Sequence, residues 1–408
     1  MDTKVVQEYR KKLSGNFRRM FFIQAFQNIR TINVVIVLFY LSRGLQLTEV
    51  FYLSIIWAVV NILFEVPSSY LADLWGRKRT IILGTFLYLT SCLWLVFADS
   101  FFMLGISVFF YALSNACFTG TDEALVYDTN RDLGKSEDSL KRLGQYYAAE
   151  KIFKVLSPLI GAILAKDLTI NQFLLLLTID ISAALASFIL SFSIVEPKRH
   201  FEVEKVESGI MRDAFRLIKN NRNLMRVICN RALGFISFFI IWRYHQEFFV
   251  QIGTPIIVLG IGWSLFHLAG FIFNYFIHRI FSNKNLTAQI NIFNYSMALF
   301  LAVFIAVWSF HLHYYWLLLI YLLANFAENA RWPIFADLIN RHSNSFNRAT
   351  TLSLSNLVKS IFDIPLLAFA GFLVGYNQIY PAYLALAIVL FASLFFYLPV
   401  KLKFENKF

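Results

Sequence analysis

Runs of about twenty apolar residues, each closed by a short polar or basic segment, recur from one end of the chain to the other. A helix needs about 20 residues to cross about 30 Å of hydrocarbon, so each run predicts a membrane-crossing helix. Twelve are predicted, over 20–42, 49–72, 80–98, 101–126, 143–165, 171–194, 224–248, 255–278, 287–309, 314–337, 349–375 and 379–399. The longest internal polar stretch, 195–223, separates six spans from six. Inside it Ile210, Met211, Ala214, Phe215, Leu217 and Ile218 recur at helical spacing among Arg212, Arg216 and Lys219, which predicts an amphipathic helix on the inner leaflet. The expected organisation is a six-helix domain over 1–194, a linker over 195–223 and a second six-helix domain over 224–408.

Composition agrees with a life in lipid. Hydrophobic residues make up 58% of the 408, charged residues 15%, and mean hydropathy is +0.60, leaving too little polar surface to cover a soluble globule. The fold class is therefore an all-α membrane protein. The basic segment before the first span imitates a secretory signal, but the apolar stretch after Met20 is too long, carries Arg30 and lacks a small-residue cleavage site. It reads as a permanent span.

The net charge of +12 is not spread evenly. The two termini and the loops after even-numbered spans hold 27 Lys and Arg, whereas the loops after odd-numbered spans hold two, Arg43 and Lys166. Basic loops stay in the cytoplasm, so both termini are expected inside, in a multi-pass protein of the bacterial inner membrane. Scattered over short loops, these charges form no single groove-sized patch, and nucleic acid is not an expected partner. The expected partners are the bilayer, a small solute and a proton gradient, with the chain acting as a monomer.

The halves repeat each other. "LSNACFTGTDEALVYDTNR" ends in Asp128, Asn130 and Arg131, and "LANFAENARWPIFADLINR" ends in Asp337, Asn340 and Arg341. Arg142 then precedes Pro158 by 16 residues, as Arg348 precedes Pro365 by 17. A duplicated six-plus-six chain is the pattern of a transporter whose site lies between the halves near the bilayer midplane.

Between spans 2 and 3 stands Ser69-Tyr-Leu-Ala-Asp73-Leu-Trp-Gly76-Arg77-Lys78-Arg79. It resembles the Gly-x-x-x-Asp-x-x-Gly-Arg-Arg/Lys loop of the major facilitator superfamily, with Ser69 where the family usually has Gly. "EVPSSYLAD", "TDEALVYD" and "NRATTLSL" resemble a group of bacterial members. The resemblance implies two pseudo-symmetric six-helix domains that rock around a central site. It also implies that Asp73, Gly76 and Arg77, with Asp128 as partner, gate that motion rather than bind solute. In span 5 the glycine-rich pattern of drug:proton antiporters survives only at Pro158 and Gly161, a tilt towards export.

Ionisable residues within the spans are costly and mark either internal pairs or a pathway. The bases Arg30, Lys151, Lys154, Arg226, Arg231, Arg243, Arg331 and Lys359 face the acids Glu65, Asp122, Glu123, Glu150, Asp180, Glu247, Glu328 and Asp363. Spacing of three or four residues places Glu150 with Lys154, Arg243 with Glu247, Glu328 with Arg331 and Lys359 with Asp363 on shared helix faces. Glu328, Asp363 and Glu150 are the candidate proton-coupling carboxylates, and Asp180 reads as a packing or polar-contact residue. Arg30, about 15 Å into span 1, has no acid within a turn, and its fork suits carboxylate or phosphate. It is either a binder of an anionic solute group or the partner of an acid on another helix, such as Glu123 or Glu150. Gln27 shares its face, and Asn61, Tyr147, Trp242 and Trp332 complete the candidate solute-binding set, alongside Trp57, Tyr146 and Tyr244.

Other chemistries find no support. Cys92, Cys117 and Cys229 all fall in spans and make no disulfide framework. His311 and His313 alone are too few for a zinc site. No nucleotide-binding loop, catalytic triad or nucleophile elbow is visible, so neither an enzyme nor a cofactor is expected. The function expected is proton-coupled transport of a small organic solute by alternating access, with export favoured over uptake of an organic anion or metal chelate. A reading from another class is a transport-inactive sensor or lipid-handling scaffold.

Overall fold

The computed structural model describes residues 3–135, 139–197, 221–281, 285–342 and 348–399. The amphipathic helix expected in the linker lies outside the described residues, as do the side chains of Asp73, Asp337, Asn340, Arg341 and Arg348. Every regular element among the described residues is helical.

A surface helix α1, Thr3–Ser14, precedes α2, Asn16–Gln27. The first predicted span is not continuous: α2 stops at Gln27, a 3-10 turn covers Thr31–Val35, and α3 runs over Ile36–Ser42. Then follow α4 (Leu47–Trp75), α5 (Arg77–Phe97), α6 (Phe101–Phe118), α7 (Thr121–Asp132), α8 (Ser139–Leu164) and α9 (Ile170–Ser191). The C-terminal part contains α10 (Arg222–Gln251), α11 (Ile256–Phe281), α12 (Leu286–Ser309), α13 (Tyr314–His342), α14 (Arg348–Val374) and α15 (Tyr380–Phe395).

Eight helical stretches among the described residues are long and apolar enough to cross a membrane. Helices α8, α13 and α14 are equally long yet fall outside that set. Glu150 with Lys151 and Lys154 lie in α8, Glu328 with Arg331 in α13, and Lys359 with Asp363 in α14. The fourth span is also interrupted. Gly120, at φ +79, separates α6 from α7 in a backbone conformation that suits glycine.

Two compact units result. One comprises Met1–Gln46, Ile56–Phe201 and Pro255–Ser264; the other comprises Leu47–Ile55, Glu202–Thr254 and Leu265–Phe408. The start of α4 groups with the second unit because Phe51 packs on Tyr244 and on Gly371, where a β-carbon would come within 2.9 Å of the Phe51 Cβ. The start of α11 groups with the first, since a β-carbon on Gly260 would lie 2.2 Å from Ala162.

In the first unit the core joins Met20, Ile23, Ile81, Phe118, Leu125, Val126, Tyr146 and Ile194. Small residues let α5 and α6 approach closely: a β-carbon on Gly84 would meet the Phe118 ring at 2.8 Å. Ser91 Oγ donates to the Ser107 carbonyl (2.8 Å) and Ser107 Oγ donates to the Ser91 carbonyl (2.9 Å), while Ser114 donates to the Gly84 carbonyl (2.7 Å). In the second unit Leu224, Val227 and Ile228 of α10 pack with Ile290, Ile334, Phe335, Leu338 and Leu398. Phe97, Phe102 and Tyr376 lie outside these cores with largely exposed rings.

Candidate functional site

Breaking a helix inside lipid releases backbone groups that have no water to bond, so each needs a partner from the protein. Around Asn28 to Arg30 those partners are in place. Asp180 of α9 accepts from the backbone N–H of Thr31 (2.7 Å) and Ile32 (3.2 Å) and from the Thr31 hydroxyl (2.8 Å). Ser157 of α8 donates to the Asn28 carbonyl (3.0 Å), and Arg30 Nε donates to the Gln27 carbonyl (2.8 Å). Gly161, one turn beyond Ser157, has no room for a side chain because a β-carbon would fall 2.1 Å from the Thr31 carbonyl oxygen. Its retention therefore has a packing cause that the antiporter pattern did not supply.

The Arg30 guanidinium stacks over Tyr88 (4.9 Å) and Tyr111 (4.7 Å), and its Nη1 donates to the Tyr111 hydroxyl. Tyrosines on α5 and α6 thus surround a cation for which the sequence offered an anionic solute group or an acid on another helix. One turn further along α6, Asn115 donates to Asn61 Oδ1 (2.9 Å), and Asn61 donates to the Trp57 carbonyl (2.8 Å). Gln27 is buried and its Nε2 has no hydrogen-bond partner.

Carboxylates at the start of α7 are bound to α8. The Tyr146 hydroxyl donates its proton to Asp122 and lies 2.9 Å from Gln24 Oε1, and Tyr147 donates to Glu123. Glu150, on the next turn, pairs with Lys154 at 2.5 Å.

At the basic end of this unit, Gly76 connects α4 to α5 with φ +105 and ψ 152, a conformation that favours glycine. Arg77 Nη2 lies 3.0 Å from Asp128 Oδ2. Glu196 spans the start of α5, its two oxygens accepting from the backbone N–H of Arg77 (2.9 Å) and Lys78 (2.8 Å). An anion at a helix N-terminus meets both unsatisfied donors and the positive end of the dipole. Sequence reasoning missed Glu196; its signal was an acid just past the sixth span. Asp73 belongs to α4.

In the second unit, Glu328 and Asp363 are buried within α13 and α14. Lys359 pairs with Asp363 at 2.5 Å, with its ammonium 3.9 Å from the centre of the Phe235 ring. Asp363 Oδ1 is buried without a hydrogen-bond partner. Arg231, Arg331 and Lys359 all act electrostatically on Glu328. Arg331, 1% exposed, donates through Nη2 to the carbonyl and the Oδ1 of Asn230, both at 3.0 Å, and Asn294 donates to the same Oδ1 at 3.0 Å. Asn230 was not among the expected site residues, because helical spacing shows neighbours on one helix and not across two. Glu247, expected beside Arg243, accepts from Gln251 (2.7 Å).

Aromatics surround these charges. Arg231 stacks over Trp332 (4.4 Å), Trp332 meets Phe235 edge-on, and Phe235, Phe239 and Trp242 follow one another along α10 with stacked rings. Among the described residues no three His, Cys, Asp or Glu converge as a metal site, and all three cysteines are buried thiols.

The sequence profile described as "Major Facilitator Superfamily" matches residues 20–365, most of the chain. The chain belongs to the major facilitator superfamily. Solved structures of similar fold cover nearly the whole length on both sides. A bacterial homologue of the human lysosomal transporter Spinster shares 15% identity over 96% of each chain, with a TM-score of 0.71. The nucleoside transporter NupG shares 11% over 95% of this chain and 98% of its own, at 0.75, and a D-xylose–proton symporter shares 12% over 96% and 98%, at 0.68. At such identities the likeness is one of fold. No curated protein sequence matches. Membership in the major facilitator superfamily gives the chain the multi-pass helical fold of a transporter family.

Proposed function

We propose that this member of the major facilitator superfamily is a proton-coupled secondary transporter of a small organic solute in the bacterial inner membrane. It works by alternating access, with both termini in the cytoplasm. The reading rests chiefly on Glu328 and Asp363, two carboxylates buried in membrane-crossing helices beside Arg231, Arg331 and Lys359. A buried carboxylate whose neutral and charged forms are both supported by its surroundings can carry a proton between two conformations. The unpartnered Oδ1 of Asp363 supplies an acceptor for that proton.

Solute contact is assigned to Gln27, with its unpartnered Nε2, to Asn61 and Tyr147, and to Trp242 and Trp332. Arg30 joins them through Nη2, which lies outside its bonds to Gln27 and Tyr111. Glu150 is the third coupling carboxylate, and Asp73, Gly76, Arg77 and Asp128 form the gate. Export is favoured on Pro158 alone, since Gly161 is kept by its packing against the Thr31 carbonyl. A second reading, uptake of an organic anion, is favoured by the cations of the second unit, where Arg231, Arg331 and Lys359 stand against Glu328 and Asp363.

Reconstitution into vesicles carrying a pH-sensitive dye tests both. Addition of neutral, cationic and anionic solutes to wild type should move protons for one class, out with cations or neutral compounds for export, in with anions for uptake. Glu328→Gln and Asp363→Asn should each abolish the response. Proton movement retained in both variants defeats the coupling assignment, and silence with every solute favours a sensor or scaffold.

A further inference from the structure

A polar pocket lies away from these residues, at the basic end of the first unit. About 530 Å3 of this half-open pocket is lined by Ser14, Phe17, Arg18, Phe21, Leu133, Lys135, Arg142 and Gln145. Among the described residues its lining holds three cations and no acid. Among the described residues none of the three forms an ion pair, whereas two acids of adjoining elements are already engaged, Glu8 by Lys12 (2.7 Å) and Asp132 by the Tyr9 hydroxyl (3.4 Å). Arg142 is held in advance of any ligand. Its guanidinium lies over Phe17 at 4.6 Å and one nitrogen donates to Gln145 Oε1 at 3.0 Å, which leaves further donors of the fork for an anion. Lys135 follows Gly134, whose φ of +69 turns the chain after α7.

The position of the cavity selects among anions. Arg18, Phe17 and Phe21 belong to the first turns of α2, where the chain passes from the basic end into hydrocarbon, and Arg18 reaches 5.8 Å from the exposed Phe22 ring. Cations beside aromatic rings at that depth match a phosphate above and an acyl chain below. A volume within the range of small-molecule sites accommodates a headgroup. The geometry points to a binding site for the phosphate headgroup of an anionic phospholipid, drawn from the leaflet that the proposed orientation makes cytoplasmic. Arg18, Lys135 and Arg142 hold the phosphate, and Phe21 and Phe22 flank the acyl chain.

Native mass spectrometry of the delipidated full chain, titrated with phosphatidylglycerol or phosphatidylcholine of matched acyl length, tests this. Wild type should prefer phosphatidylglycerol by at least about tenfold. The combined Arg18→Gln, Lys135→Gln, Arg142→Gln variant should lose that preference, and a control carrying Lys78→Gln, Arg79→Gln and Arg226→Gln should keep it. Preference retained in the first variant, or lost equally in the control, overturns the site. Displacement of the lipid by equimolar glycerol phosphate would assign the cavity to a soluble phosphate and overturn the lipid reading. Should the triple variant not fold, Lys135→Gln alone should weaken phosphatidylglycerol about fivefold, and unchanged affinity has the same force. The readout is binding, so a chain that transported nothing would leave the result intact.

Discussion

Gly234 of α10 sits against the guanidinium of Arg331, so close that a β-carbon there would lie 1.9 Å from Nη1. The absence of a side chain at one position makes the volume for a fully buried cation on another helix. Gly234→Ala should therefore lower the thermal unfolding temperature in detergent, by an overpacking cost of about 1–3 kcal/mol. Gly144→Ala, a helical glycine with nothing within 4 Å, should be neutral or slightly stabilising. Equal effects at the two sites would remove the steric explanation.

The break in the first span makes a second prediction. Asp180→Ala leaves the N–H groups of Thr31 and Ile32 without their acceptor and should cost about 2–4 kcal/mol. Asp180→Asn keeps one acceptor oxygen and should fall between Ala and wild type. Thermal melts of the three proteins give the order, and Asn melting with Ala would show that charge rather than acceptor geometry matters.

Lys359 and Asp363 give a third. Either Lys359→Met or Asp363→Asn strands one member of a buried pair, and loss of one partner of such a pair costs about 3–5 kcal/mol. The double variant should regain most of the lost stability and still fail to couple protons to solute. Purified yield and melting temperature read the first property and vesicle assays the second. Recovery of coupling in the double variant would make the pair purely structural.

At the Gly76 turn, Arg77 and Asp128 are partly exposed, so their interaction should be modest. A double-mutant cycle with Arg77→Gln and Asp128→Asn should give about 0.5–1 kcal/mol of coupling in melts. Glu196→Ala, which removes the acceptor from two helix-starting N–H groups, should cost about 1–2 kcal/mol by itself. A Glu196→Ala melt matching wild type would show that water satisfies those groups as well.

Much of this was legible in the chain and some was not, for definable reasons. The placement of each long helix follows from hydrophobic run length alone, as α5 and α9 show by ending within a few residues of their expected bounds. Glu150 with Lys154 and Lys359 with Asp363 follow from helical spacing, because both partners lie on one helix. What crosses between helices has no periodic signal. Asn230 under Arg331, Tyr111 under Arg30 and Asp180 at Thr31 join positions 101, 81 and 149 residues apart. The break at Asn28 to Arg30 contains neither Gly nor Pro, so nothing local announces it. Pro67, Pro158, Pro333 and Pro365 stay inside their helices and would have misled a search for breaks.

The reciprocal serine bonds between α5 and α6 bear on how the protein is made. Ser91, Ser107, Ser114 and Gly84 all find their partners within Arg77–Phe118, across a connection of only three residues from Ala98 to Ser100. Lipid offers no competing donors or acceptors. This hairpin can therefore lock as soon as its second helix reaches lipid, without waiting for any later helix, and present the rest of the chain with a finished surface to assemble upon.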